Sequence, residues 1–301
     1  MSSENPNFDE IEATPGNTTS LLRTVVGTSL RRIGGWIAVA DLVTLMRAID
    51  IPDTRTRNTI SRLKAKGLVL PLTRDRALGY ELNPAAVPML EKGDERIYHP
   101  RSMAAGERWC LISYSVPEEN RDLRHQLRRR LSWIGCGSAS PALWICPEYR
   151  FRDVEEILAD LGLSARATVF MADEVRGAKA PQVAVALWWD LDGIAALHHT
   201  FLDLCAKQIP DGEPSPREAF ATWIRCLDAW RVIPYRDPGL PSWLLPDDWP
   251  ARQSIPVFLD LRDRIRPLAD AFVDEVTAGS RVPIRPGGSQ CPSPNTAAIP
   301  R

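Results

Sequence analysis

Residues 53 to 68 read DTRTRNTISRLKAKGL, and the spacing in this stretch decides what kind of domain opens the chain. At about 100° per residue, Thr56, Ile60, Leu63 and the turn at Gly67 gather on one side of a helix, which must face a core. Thr54, Arg55, Asn58, Ser61 and Arg62 fall on the opposite side, with Arg57, Lys64 and Lys66 flanking them. A helix laid in a major groove needs this arrangement. Arg pairs with guanine O6 and N7, Asn with adenine N6 and N7, and a small hydroxyl suits a close backbone approach. A solvated surface helix also carries a polar face, so the neighbours of this stretch must decide.

Working outward, Leu21 to Ile33 predicts a helix stopped by Gly34-Gly35, Val39 to Ile49 a second, and Pro52 to Lys66 a third stopped by Gly67. Leu68 to Leu70 and Gly79 to Leu82 then read as two short strands around a basic tip, Thr73 to Arg76, from which Arg74 and Arg76 would reach a neighbouring groove or its phosphates. Three helices followed by a hairpin predict a winged helix-turn-helix over residues 20–98. Its partner would be duplex DNA. The whole chain carries a net charge of -1, yet Leu21 to Tyr80 holds 11 Lys and Arg against 4 Asp and Glu, a local +7 that draws phosphate. From Pro181 onward the balance is 12 basic to 15 acidic, so the basic character belongs to one segment.

The rest of the 301 residues exceeds what one core organises, so further domains are expected. Over 105–187 the pattern is a strand at Trp109 to Val116, a helix carrying Leu123, Leu127, Leu131 and Ile134, a strand at Ala142 to Cys146, a helix at Asp153 to Leu161, and a strand at Arg166 to Met171. A last strand is placed near Val183 to Ala186. This predicts a ferredoxin-like sandwich serving dimerisation and signal transfer. Residues 188–278 predict a helical domain: Leu191 to Gln208, Pro216 to Trp230, a Pro-rich connector from Arg236 to Pro250, and one helix from Ile255 to Val276. Residues 1–19 and 279–301, acidic and Pro-Gly-rich respectively, predict disordered tails. The class is α+β.

The 53–68 stretch, with Gly79-Tyr80-Glu81-Leu82-Asn83-Pro84 and Gly93-Asp94-Glu95-Arg96-Ile97-Tyr98, resembles the winged-helix region of the PaaX family of phenylacetate-catabolism repressors. So do Pro117-Glu118-Glu119-Asn120-Arg121 and Pro141-Ala142-Leu143-Trp144-Ile145-Cys146-Pro147 in the central domain, and the block from Arg236 to Pro250 at the C-terminal signature. The resemblance spans roughly residues 21 to 277. It implies a homodimeric bacterial repressor that leaves its operator when an aromatic acyl-CoA thioester binds. Ala251 stands where the family has glycine, so the effector here is expected to be an aromatic acid or its CoA thioester, of open identity.

Candidate effector contacts follow from composition. Six of the ten tryptophans lie beyond residue 187, and flat apolar ligands sit against such rings while a few Arg neutralise a pyrophosphate. Trp188, Trp230, Arg231 and Arg236 are the candidates there. Arg121, Arg124 and Arg128 form a stripe on the central domain's first helix. The same tryptophans also suit a small helical core.

No catalytic residues, metal or cofactor are expected. The first strand of the central domain ends Ser113-Tyr114-Ser115-Val116, without the carboxylate that a related metal-dependent nuclease needs, and no nucleophile, base and orienter set is legible. Six cysteines lack a C-x-x-C pair and read as reduced and structural. No apolar run of about 18 residues occurs and no secretory leader is recognisable, so a cytoplasmic protein is expected. An enzyme acting on an aromatic thioester, or a DNA binder without effector, are the competing classes.

Overall fold

The computed structural model describes residues 14–177, 179–209 and 212–280. Both tails beyond these limits, and Cys291, lie outside the described residues. Helix α1 (Thr18–Val25) starts at Asn17, whose side chain accepts a hydrogen bond from the Ser20 amide at 2.8 Å. The helix therefore begins inside the stretch expected to be a disordered leader. It continues as a π-turn, Val26–Leu30, and stops at Gly34 and Gly35, both in the left-handed region.

Strand β1 (Trp36–Ala38) leads into helices α2 (Val39–Ala48) and α3 (Asp53–Ala65), followed by strands β2 (Val69–Arg74) and β3 (Ala77–Leu82). These strands make an antiparallel sheet in the order β1-β3-β2. The hairpin turn is tighter than the sequence suggests: Thr73 and Arg74 belong to β2, and only Asp75 and Arg76 turn, both with positive φ as a two-residue hairpin requires. The three-residue β1 is too short to be read from periodicity. A Cβ on Gly79 of β3 would sit 2.4 Å from the Trp36 ring and 2.5 Å from the Ile37 carbonyl, so β1 can lie against β3 only where that residue is glycine.

Helix α4 (Val87–Tyr98), which the sequence reading omits, leads to the second sheet. There the chain runs β4 (Trp109–Tyr114), α5 (Arg121–Trp133), β5 (Gly137–Ser140), β6 (Leu143–Pro147), α6 (Phe151–Asp160) and β7 (Ala167–Ala172), with strand order β5-β6-β4-β7 and every pairing antiparallel. Leu127 and Leu131 of α5 and Val154 and Leu158 of α6 bury against Cys110, Ile112 and Cys146 of the sheet. The strand expected at Val183 to Ala186 is instead part of helix α7 (Pro181–Trp188). A short apolar run does not separate strand from helix by period, and Pro181 at the first helical turn favours the helix.

The remaining helices are α8 (Leu191–Gln208), α9 (Pro216–Trp230), α10 (Ile233–Arg236), α11 (Ala251–Arg264) and α12 (Arg266–Thr277). The single helix expected from Ile255 to Val276 is two, joined at Ile265, because Pro267 in the first turn of α12 has no N–H to continue the ladder. Leu22, Leu45, Met46 and Leu63 from the first third of the chain share one continuous core with Phe220, Trp223, Trp230, Phe258 and Phe272 from the last third. The end of the chain thus closes over the back of its beginning.

Candidate nucleic-acid interface and ligand cavity

Helix α3 buries Thr56, Thr59, Ile60 and Leu63 and leaves Thr54, Arg55, Arg57, Asn58, Ser61, Arg62, Lys64 and Lys66 exposed. The buried set is the predicted one with Thr59 added. On the hairpin, Arg76 is exposed at the tip, whereas Arg74 lies along β2 with its guanidinium 5.5 Å above the Trp36 ring and 3.7 Å from Glu81. Not every cation of the +7 segment faces outward. Arg31 pairs with Asp94 of α4 at 2.6 Å, and Arg32 with Asp274 and Asp270 of α12 at 2.8 and 3.2 Å.

The start of α3 is fixed from two sides. Arg47 at the end of α2 donates from Nε to Asp53 Oδ1 at 2.6 Å, and this guanidinium holds the Asp53 carboxyl below its ordinary range, chiefly by hydrogen bonding. Between the helices, Asp50 takes φ 61°, and Arg225 of α9 donates to its Oδ2 at 2.5 Å and to the Ile49 carbonyl at 3.2 Å. Deeper along α9, buried Asp228 accepts from Ser20 Oγ at 2.6 Å, Thr24 Oγ1 at 2.8 Å and Arg231 Nε at 3.2 Å, while its other oxygen accepts from the Gly16 amide at 2.7 Å. Helix α9 is therefore joined to both α1 and the α2–α3 turn through polar groups.

A cavity of about 560 Å³ opens where three parts of the chain meet. Its wall takes Arg96 and Arg101 from α4 and the segment after it, Tyr149 and Arg150 from the turn before α6, His198, Trp230 and Arg252 from α8, α9 and α11, and Asp237 and Trp249 from the connection between α10 and α11. Of the predicted effector residues, Trp230 stands on this wall, stacked on Phe258 at 4.4 Å, with its indole N–H on the Ile97 carbonyl at 2.9 Å. Arg231 turns into the buried network around Asp228. Arg121, Arg124 and Arg128 stay on α5, where Arg124 binds Glu118 at 2.9 Å and the Val116 carbonyl at 3.1 Å. Trp188 packs beside Trp189, and Arg236 ends α10 half-buried. The basic side chains that do converge on the cavity come from segments far apart in sequence, and no spacing could have found them.

The fold also aligns three residues that no motif announces. Ser254 Oγ lies 2.6 Å from His198 Nδ1, and His198 Nε2 lies 3.0 Å from Asp237 Oδ2, so a hydroxyl, an imidazole and a carboxylate stand in hydrogen-bond order. Ser254 is fully buried and does not line the cavity, so its hydroxyl cannot meet a substrate. The chain of bonds ties α8 to α11 and to the loop after α10. Among the described residues no cluster of three or more His, Cys, Asp or Glu is placed to hold a metal, and no helix is long and apolar enough to cross a membrane. Five of the cysteines are buried free thiols; contact with a neighbouring thiol, Cys146 and Cys226 respectively, and then burial raise Cys110 and Cys205 above their ordinary range.

Comparison with known proteins agrees with the geometry. Residues 17–86 match the family described as PaaX-like protein, residues 102–184 the PaaX protein central Cas2-like domain, and residues 189–275 the PaaX-like protein C-terminal domain. The transcriptional repressor PaaX of Escherichia coli K12 is 24% identical over 272 residues, covering 88% of this chain and 85% of its own. Among solved structures, the uncharacterized protein Rv0674 from Mycobacterium tuberculosis superposes with a TM-score of 0.56 at 22% identity, over 84% of this chain and 99% of that one, a likeness of fold. Three domain matches in family order, lying between residue 17 and residue 275 and together spanning most of the chain, place this protein in the PaaX family.

Proposed function

We propose that this protein is a homodimeric, ligand-responsive transcriptional repressor acting in the cytoplasm on an operon for breakdown of an aromatic compound. The observation that carries the reading is α3, with four side chains buried behind it and eight polar or basic ones presented together. In this reading α1 to β3 form a winged helix-turn-helix within residues 20–98. Helix α3 enters the major groove, Arg55, Asn58 and Arg62 read base edges, and Arg57, Lys64, Lys66 and Arg76 meet phosphates. The β4-α5-β5-β6-α6-β7 unit within 105–187 is a ferredoxin-like sandwich for dimerisation and signal transfer, and 188–278 forms the helical effector domain.

The ligand, an aromatic acid or its CoA thioester, binds in the cavity between these units, and the protein holds it without transforming it. Helix α9 is placed to transmit occupancy, since Trp230 lines the cavity and Arg225 grips the α2–α3 turn. A coupling of about 1 to 3 kcal/mol would release the operator about 5- to 150-fold. Footprinting of the region upstream of the protein's own gene, with and without aromatic acids and their CoA esters, tests this. Protection of a two-fold site, lifted by one compound class, is expected. Equal affinity for promoter and random duplex at physiological salt would overturn it.

A further inference from the structure

Leu78 is the most exposed large apolar side chain among the described residues, at 72%, and it stands on the hairpin whose tip carries Arg76. Along β3 successive side chains alternate between the two faces of the sheet, so Leu82, Tyr80 and Leu78 share one side. Leu82 is buried with Ile60 and Leu63 of α3, Tyr80 packs half-buried against the same core, and Leu78 runs past its end into solvent. The face that carries Leu78 is therefore the one turned toward α3.

The opposite face braces the hairpin. Trp36 lies across Gly79, its indole N–H donates to the Leu72 carbonyl at 2.9 Å, and the Arg74 guanidinium rests 5.5 Å above its ring. Arg74 is thus held on the back of the wing, and the turn is left to Asp75 and Arg76, with φ of 46° and 68°. Asp suits the first place of such a turn, but the second favours glycine, and an arginine there holds a costly left-handed backbone. Strain of this kind persists where the side chain is needed. Five steps along β2 from Val69 to Arg74 reach about 17 Å at about 3.4 Å per residue, half of the about 34 Å turn of DNA, which is the spacing from a major groove to the neighbouring minor groove.

We infer that the wing enters the minor groove beside the major groove read by α3, with Leu78 wedged against a pyrimidine–purine step and Arg76 on the phosphates that line that groove. This rests on the repressor reading above and adds a second element to its recognition of DNA. A leucine that reaches a base step from the minor groove partly unstacks it and bends the duplex. T·A steps yield easily, while G·C pairs obstruct the groove with the guanine 2-amino group. A hairpin braced by Trp36 suits the task, because a fraying tip could not hold a step open. The flank of the operator is thereby selected for deformability at positions that no side chain hydrogen-bonds.

The test selects duplexes from a random-sequence library on the full-length protein. Enriched duplexes are expected to carry a T·A step in an A·T-rich stretch about five base pairs, half a turn, from the element read by α3, and to migrate as bent DNA in a circular-permutation gel. Exchange of that stretch for inosine–cytosine pairs, which keep the minor-groove pattern of A·T, should preserve affinity, whereas guanine–cytosine pairs should lower it about 10-fold. Leu78→Ala should lose about 10-fold on the selected duplex together with most of the bend, and Leu78→Met should retain both; neither change touches the core, so the fold is kept. Arg76→Gly should weaken binding while raising the melting temperature by about 2 °C, as relief of a strained position would. Unchanged affinity and bend in Leu78→Ala overturn the inference and leave the repressor reading standing, as does equal loss with inosine and guanine flanks. A change of oligomeric state in Leu78→Ala free of DNA assigns the side chain to a protein contact and overturns it too. Enrichment of no duplex at all sinks the repressor reading and this inference together.

Discussion

Arg225 of α9 and Asp50 of the α2–α3 turn, 175 positions apart, meet at 2.5 Å, with the same Nη2 also on the Ile49 carbonyl at 3.2 Å. The C-terminal domain thereby holds the element that orients the proposed reading helix. Arg225→Ala is expected to weaken operator binding several-fold with stability reduced by about 1 kcal/mol, because the lost bonds are partly solvated. Operator titrations at several salt concentrations check this. The slope of affinity against salt should stay constant, and a slope reduced by about one would instead make Arg225 a direct phosphate contact.

Replacing Arg55, Asn58 or Arg62 with Ala should relax preference for the operator by about 1 to 3 kcal/mol per base contact, measured against single-base operator variants. Lys64→Ala should weaken all duplexes alike and flatten the salt dependence. If the triple Ala variant keeps full operator preference, α3 is not the reading helix.

The Asp228 network predicts a stability effect with a sign that a surface pair would not show. Asp228→Ala strands the buried Arg231 guanidinium and should cost about 3 to 5 kcal/mol in urea unfolding. Arg231→Met placed on top of it should recover much of the loss, since no uncompensated cation then remains. Additive losses in the double variant would contradict this account.

At Gly79, alanine would bring Cβ to 2.4 Å from the Trp36 ring and 2.5 Å from the Ile37 carbonyl. The rigid ring and backbone cannot both yield, so Gly79→Ala should cost about 1 to 3 kcal/mol and lower the melting temperature. The same change at Gly212, which meets nothing within 4 Å, should leave it near the original value.

Where a segment's structure depends on its own period and punctuation, reading the residues was sufficient. Thr56, Ile60 and Leu63 turned inward as their spacing requires, Gly34 and Gly67 took left-handed φ at helix ends, and the four-residue rhythm of Leu123, Leu127 and Leu131 made α5. Reading failed where local signals were short or shared. Trp36 to Ala38 is a strand only because β3 lies beside it, and Val183 to Ala186 is helical although its apolar run would suit either state. Arg231 looked like a ligand contact beside Trp230, yet the two side chains leave the end of α9 in different directions, one into a buried network and one onto the cavity wall.

From the order of residues alone came the α+β class, the basic leading segment, the outward face of α3 and membership in a repressor-like pattern. Each is a property of neighbours three or four places apart, which a helix brings together whatever the remainder does. Only the folded chain decided that α9 grips the α2–α3 turn, that Arg150 is buried on a cavity wall where its guanidinium donates to the Pro234 carbonyl, and that Ser254, His198 and Asp237 stand in line. Those relationships join residues tens to hundreds of positions apart, and such distances are set by how apolar faces close into shared cores, which no local spacing encodes.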